Sequence, residues 1–301
     1  MKFLTSNAML DMPSQETVVD SITDPTKLPH HLLDNYGGRR QERRYQSLRL
    51  SEIDGACPRE WVLGHLLDLS YWQTVGVASV WQMNMGSILH WYIQNDPAFF
   101  GDKLVGYWEC RACGYERRFG VRPKEPCEKC HAHPRVTEYK EYMFRLRSPY
   151  RVVGKTDLIL RIAPRVYRFG EIKTCSKDMS TPDGSHVAQT ASYNYFSRYD
   201  DSLPITIDRS VCYIFYFNKK FDFKGPTKIF TIKPTERLVN PLKTKAAMIT
   251  EGIRDRVLPN PLTACINTNF SEKSGRAKSC GIAKECKRHY NLGVTRLGNT
   301  D

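Results

Sequence analysis

No stretch of this chain is apolar enough to cross a bilayer. The longest apolar run, VCYIFYF at 211–217, falls far short of the ~20 residues a membrane helix needs. The first twenty residues soon turn acidic and hold no apolar signal core. This predicts a cytoplasmic or nucleoid-associated setting, which includes a phage-encoded protein acting in the host cytoplasm. No GxxxxGK[ST] motif occurs, which excludes an internal ATP-driven motor. There is no internal repeat and no low-complexity tract, so solenoid and mainly disordered architectures drop out. Ten cysteines in 301 residues are too dilute for a small disulfide scaffold. Acidic residues are in deficit: 32 Asp+Glu face 45 Lys+Arg, a net charge of +13. That balance favours an anionic partner, with nucleic acid first.

Apolar residues make up 41% of the chain, enough for a sizeable core. Residues 1–36 show little periodicity, and a basic stretch follows at 37–53; residues 1–47 read as a basic, weakly ordered extension. Apolar spacing predicts helices within 57–72, 77–94, 186–199 and 236–256. Strand patterns occupy 141–147, 150–162, 165–176, 209–218 and 227–234. The expected fold class is α/β, a central mixed sheet flanked by helices. Its core spans 48–101 and 135–290. Residues 102–134 read as a metal-held insertion and 291–301 as a tail.

The insertion carries Cys110-x2-Cys113 and, thirteen residues on, Cys127-x2-Cys130. Two such knuckles bring four soft thiolates to a tetrahedral ion, which fits Zn²⁺ best; four-sulfur iron is the alternative. Arg111, Arg117, Arg118, Arg122 and Lys124 lie around the site as candidate phosphate contacts, or as the solvated surface of a folding clip.

A second constellation joins Asp157 in GKTD to Glu171 and Lys173 in GEIKT. The strand period of two puts residues 171 and 173 on one side, and a hairpin can bring Asp157 beside them. Two carboxylates and a backbone carbonyl near residue 172 make a hard oxygen site for Mg²⁺ or Mn²⁺. Gly154 and Gly170 are candidate points of close DNA approach. Taken alone, this spacing also fits many exposed hairpins. Gln189 and Tyr193, at i and i+4, share a helix face downstream. His90 sits upstream on an expected helix.

His90, GKTD at 154–157, EIK at 171–173 and Q-x3-Y at 189–193 resemble the RecB-like branch of the PD-(D/E)xK nuclease superfamily. The resemblance spans roughly residues 48–290. It implies a restriction-endonuclease-like core in which His90, Asp157 and Glu171 hold the metal. It implies that Lys173 assists hydrolysis, with Gln189 and Tyr193 in supporting roles.

Cys57, Cys265, Cys280 and Cys286 form a further set, one thiol early and three late. Together they suit a [4Fe–4S] cluster, a second structural zinc, or free thiols. LRLSEIDGACPREW resembles the first segment of Cas4, AddB and Dna2-like nucleases, which implies the cluster. Cys175 and Cys212 lie in strand-like runs and read as ordinary buried residues.

The resemblance implies a metal-dependent deoxyribonuclease, preferentially an exonuclease on single-stranded DNA or DNA ends. A helicase, recombinase or other replication protein is the implied partner. Two other functions remain open from the sequence: a non-catalytic nucleic-acid-binding or accessory subunit on the same fold, and a nuclease subunit of a CRISPR-adaptation-like complex.

Overall fold

The structure is a computed structural model that describes residues 39–75, 77–175, 179–218, 228–271, 273 and 276–298. The expected weakly ordered segment 1–36 lies outside the described residues. The chain divides into two compact units. The first comprises Met1–Glu42 and Trp72–Asn84; among its described residues, β1 (Arg39–Arg44) pairs with β3 (Ser70–Val75). The second comprises Arg43–Tyr71 and Met85–Asp301 and carries all the candidate site residues.

In the second unit, α1 (Pro58–Leu66) starts with Cys57 as its N-cap and Pro58 in the first turn, where a missing N–H costs nothing. Helix α2 (Val77–Asn95) ends at Asp96-Pro97, as the sequence predicts. The main sheet runs β12-β11-β10-β9-β4-β5, with β6 also paired to β4. Its strands are β4 (Leu104–Cys110), β5 (Glu116–Val121), β6 (Thr137–Lys140), β9 (Leu158–Ala163), β10 (Val166–Cys175), β11 (Cys212–Asn218) and β12 (Lys228–Ile232). A three-stranded sheet joins β2 (Leu48–Arg49), β8 (Val152–Thr156) and β7 (Tyr142–Arg145).

Strands β10 and β11 are parallel, so a crossover must join them, and α3 (Gly184–Phe196) provides it. Asp183 caps α3, its Oδ1 accepting from Ser185 N at 2.8 Å. Strand period sorts the core into two layers. Ile159, Phe169, Ile214 and Tyr216 pack with residues of α1, α3 and α4 (Glu236–Asp255). Leu158, Leu160, Ile172, Phe215 and Phe217 pack with Ile93 of α2. Each fully buried large side chain contributes ~1.5–3 kcal/mol of transfer free energy. The short helices α5 (Thr263–Asn267) and α6 (Ala283–Asn291) close the C-terminal region. Among the described residues, no helix is long and apolar enough to cross a membrane.

Two sequence-based boundaries change. The run 150–162 is not one strand: it breaks at Asp157, with β8 in the small sheet and β9 in the main one. The insertion is also no appendage. Strand β4 pairs with β9 through Leu104↔Leu160 and Val105↔Ile159, and Trp108 enters the core. Its charged and turn-forming residues conceal this, although five of the seven β4 residues are buried.

Candidate functional site

Strands β9 and β10 form an antiparallel pair in which Gly170 faces Leu158, so Asp157 and Glu171 sit together at its end. The Ile172 N–H donates to Asp157 Oδ2 at 2.8 Å. His90 of α2 brings Nδ1 to 3.6 Å from the same oxygen. A third group completes this cluster, Glu141, which the sequence reading missed. His90, Glu141 and Asp157 each offer a ligand atom, and these lie within 4.8 Å of one another. Gln94, one turn beyond His90, orients both carboxylate-bearing segments. Its Nε2 donates to Glu141 Oε1 and to the Asp157 carbonyl, both at 2.9 Å. An imidazole and two carboxylates suit Mn²⁺ or Mg²⁺ among divalent ions, and also Zn²⁺.

Glu171 lies beside this cluster, almost wholly buried. Its Oε1 accepts from Lys173 Nζ at 2.8 Å and from Gln189 Nε2 at 2.7 Å. Its Oε2 is buried and has no partner, although a buried carboxylate oxygen ordinarily finds one. A cation would satisfy it. Gln189 also accepts from Lys173 at 3.0 Å and donates to the Tyr193 hydroxyl at 2.9 Å. The structure therefore brings together His90, Asp157, Glu171, Lys173, Gln189 and Tyr193 and adds Glu141.

The electrostatics follow from burial and crowding. Burial raises Glu171 to about 8, and the neighbouring Asp157 pushes the same way against Lys173. Burial also opposes ionisation of Asp157, but His90, Lys173 and the Ile172 N–H outweigh it and its pKa falls. Lys173 is raised: burial works against its charge, yet Glu171 and Asp157 hold the proton on. Lys155 pairs with Glu141 and Lys173 with Glu171, and crowding of the remaining carboxylate charge keeps the Glu171 pKa raised.

Gly154 and Gly170 serve packing rather than DNA approach. A Cβ on Gly154 would meet the Phe144 ring at 2.4 Å, and one on Gly170 would meet Phe215 at 2.9 Å.

The first cysteine set closes as the spacing predicts. The Cys110 and Cys130 sulfurs lie 3.7 Å apart, and those of Cys113 and Cys127 3.6 Å. Tetrahedral Zn–S bonds of ~2.3 Å require a sulfur separation of about 3.8 Å. Gly114 takes φ +69°, the left-handed turn of the first knuckle, and His131 takes φ +56° at the equivalent place in the second. The Cys127 thiol is lowered to about 6, chiefly by the Cys130 N–H. Two of the five basic residues read as phosphate contacts are braces. Arg117 donates to the Glu125 and Pro126 carbonyls, and Arg122 to the Asn95 carbonyl while lying over the Trp108 ring. Arg111 pairs with Glu138 and Lys124 with Asp102, whereas Arg118 is exposed with no such bond among the described residues.

Because β4 and β6 are strands of the main sheet, loss of the ribbon's metal should reach the core. Elemental analysis should find about one zinc per chain at this site. Cys127→Ser should lower the thermal midpoint by about 10 °C, if ~3 kcal/mol is lost at ~2–4 °C per kcal/mol. An unchanged midpoint would show that the ribbon is independent of the core.

The second cysteine set also converges. Cys57, Cys265, Cys280 and Cys286 line one cavity with Glu60, Phe270 and Arg276. Burial pushes the Cys280 thiol up to about 12 and Cys286 up to about 11, the latter against the pull of Arg59. Cys212 is fully buried and Cys175 half-buried, and neither lines this cavity.

No family model matches the chain, and no curated protein matches it significantly. Among solved structures, one titled "Crystal structure of SSO0001" is similar at 16% identity with a TM-score of 0.34. The alignment covers 88% of this chain and 97% of that one.

Proposed function

We propose that this chain is a Mg²⁺- or Mn²⁺-dependent deoxyribonuclease of the RecB-like PD-(D/E)xK type, acting on single-stranded DNA or DNA ends. The observation that carries the reading is the unpartnered, buried Oε2 of Glu171 beside the His90, Glu141 and Asp157 ligand atoms. A purely binding surface has no use for a partnerless buried carboxylate, which costs on the order of 1–3 kcal/mol.

In this reading His90, Glu141, Asp157 and Glu171 hold the divalent ion. A divalent ion held there would supply positive charge at a phosphate and lower the pKa of bound water. Lys173 keeps its proton and stays charged where charge develops on the phosphate. Gln189 fixes Lys173 and Glu171 through its two amide ends, and Tyr193 steadies Gln189 from one helical turn away. Burial by β9, β10 and α3 keeps these dipoles preorganised.

The second cysteine set supports a [4Fe–4S] cluster in the same reading. Its four thiols ring a cavity but do not close to the 4.8 Å separation that the ribbon sulfurs satisfy. Arg59 and Arg276 stand beside it, each with a buried Nε lacking a partner, and they would offset the negative charge of four thiolates and their cluster.

The test is cleavage of end-labelled single-stranded and duplex DNA with Mg²⁺ or Mn²⁺, with and without EDTA. Cleavage that starts at ends, stops with EDTA and is poorly supported by Ca²⁺ is expected. DNA binding with no cleavage under any divalent ion would reject the nuclease and leave a nucleic-acid-binding accessory subunit.

A further inference from the structure

A cavity of about 460 Å³ lies apart from the carboxylate cluster and from both cysteine sets. Its lining includes Gln46, His65, Asp68, Arg145, Arg147 and Arg151. Three guanidiniums face one carboxylate, so its lining is cationic. Arg151 is fixed in place: its Nε donates to the Gln46 carbonyl at 2.7 Å and its backbone N–H to Thr250 Oγ1 at 2.8 Å. Arg145 and Arg147 are exposed and, among the described residues, have no salt-bridge partner. His65 adds an imidazole whose Nδ1 donates to the Tyr45 carbonyl at 2.8 Å.

The strand register ties this cavity to the carboxylate cluster. Strand β7 buries Tyr142 and Phe144 and exposes Met143 and Arg145. With a side-chain period of two, Glu141, Met143 and Arg145 share the open face. Its partner β8 buries Gly154 and Thr156 and exposes Lys155, which lies opposite Met143. One end of the open face of this hairpin therefore meets the cluster through Glu141 and Asp157. Its other end carries Arg145 and leads to Arg147 and Arg151. Arg145 lies four positions beyond Glu141, about 13 Å along a strand.

We propose that this cavity holds a backbone phosphate of a nucleic-acid strand, and that the strand runs along the open face of β7 and β8 to the carboxylate cluster. Guanidiniums match phosphate oxygens in a planar fork and need no particular base, which suits a sequence-independent grip. The identity of the ligand rests on the nuclease reading; the existence of an anion site does not.

The experiment titrates a fluorescein-labelled single-stranded DNA 20-mer in EDTA, over a range of salt, with no cleavage needed. Arg145→Gln combined with Arg147→Gln should raise Kd on the order of tenfold or more at low salt. The magnitude of the slope of log K against log salt should fall by about 0.7, the value for one lost single-strand phosphate contact. The exposed pair Lys233→Gln and Arg237→Gln on and before α4 removes the same charge elsewhere and should leave both values near wild type. Unchanged Kd and slope in the first pair would overturn the proposal. So would an equal loss in both pairs, which would reduce the effect to diffuse net charge. If the first pair loses affinity while wild type cleaves no DNA with Mg²⁺ or Mn²⁺, the phosphate site stands and the nuclease reading fails.

Discussion

Glu141→Ala and Asp157→Ala should each reduce DNA cleavage on the order of 10³-fold or more, while DNA affinity measured in EDTA stays within a few fold. Both carboxylates lie in the cluster with His90, so either change removes a ligand and leaves the others misaligned. Glu171→Gln is the sharper probe. It keeps the volume and can still accept from Lys173, but it removes the charge that the unpartnered Oε2 would present to a cation. The same loss is expected, together with weaker Mn²⁺ binding by titration calorimetry. Gln94→Ala touches neither substrate nor cation. It should weaken metal affinity by about 10–100-fold by freeing Glu141 and the Asp157 backbone. That deficit should be recovered by raising the metal concentration. Wild-type cleavage by Glu141→Ala would remove that residue from the site and leave the set seen in the sequence.

Protein purified without oxygen should be brown and contain about four iron and about four acid-labile sulfide per chain beside about one zinc. Cys57→Ser should abolish the iron, lower soluble yield and depress the thermal midpoint by about 10 °C or more, because metal binding here is coupled to folding. Cleavage would fall as a consequence. Cys175→Ser and Cys212→Ser should leave the iron content unchanged, since neither side chain reaches the cavity. About two zinc with no sulfide in such a preparation would replace the cluster with a second zinc site. Cleavage by the carboxylate cluster would be unaffected by that result.

Much of the α/β layering was legible in the sequence because β11 is a short, nearly continuous apolar run, as a buried strand with a parallel neighbour should be, and Asp96-Pro97 stops α2 cleanly. The four ribbon cysteines were legible because two CxxC pairs fix their own local geometry. Glu141 was not, because nothing in KEYMFR marks one acid residue among many. Its position depends on the pairing Tyr142↔Thr156, which sets residue 141 beside Asp157. A hairpin register assumed for 141–157 would have exposed it. The break at Asp157 was hidden for a related reason. VVGKTDLILRI is apolar on both sides of the acid, so periodicity continues while the chain changes sheets. The roles of Arg117 and Arg122 were hidden because charge alone does not tell a phosphate contact from a bond to a carbonyl.

Helix α1 is held by partners that are made last. Arg59 donates to the Pro259 carbonyl, 200 residues away, and Arg276 bonds Glu60 across 216 residues. Lys245 caps the Ile53 carbonyl across 192. During synthesis only nearby segments such as that of Tyr45, which bonds Glu60 and His65, can meet this helix early; its distant partners emerge much later. The hairpins from β7 to β10 and the ribbon can pair as they emerge, whereas α1 must wait for almost the whole chain. Loop-closure entropy makes such distant contacts slow to form, and until they form the apolar side of α1, with Trp61, Val62 and Leu63, stays open to chaperones and to other chains.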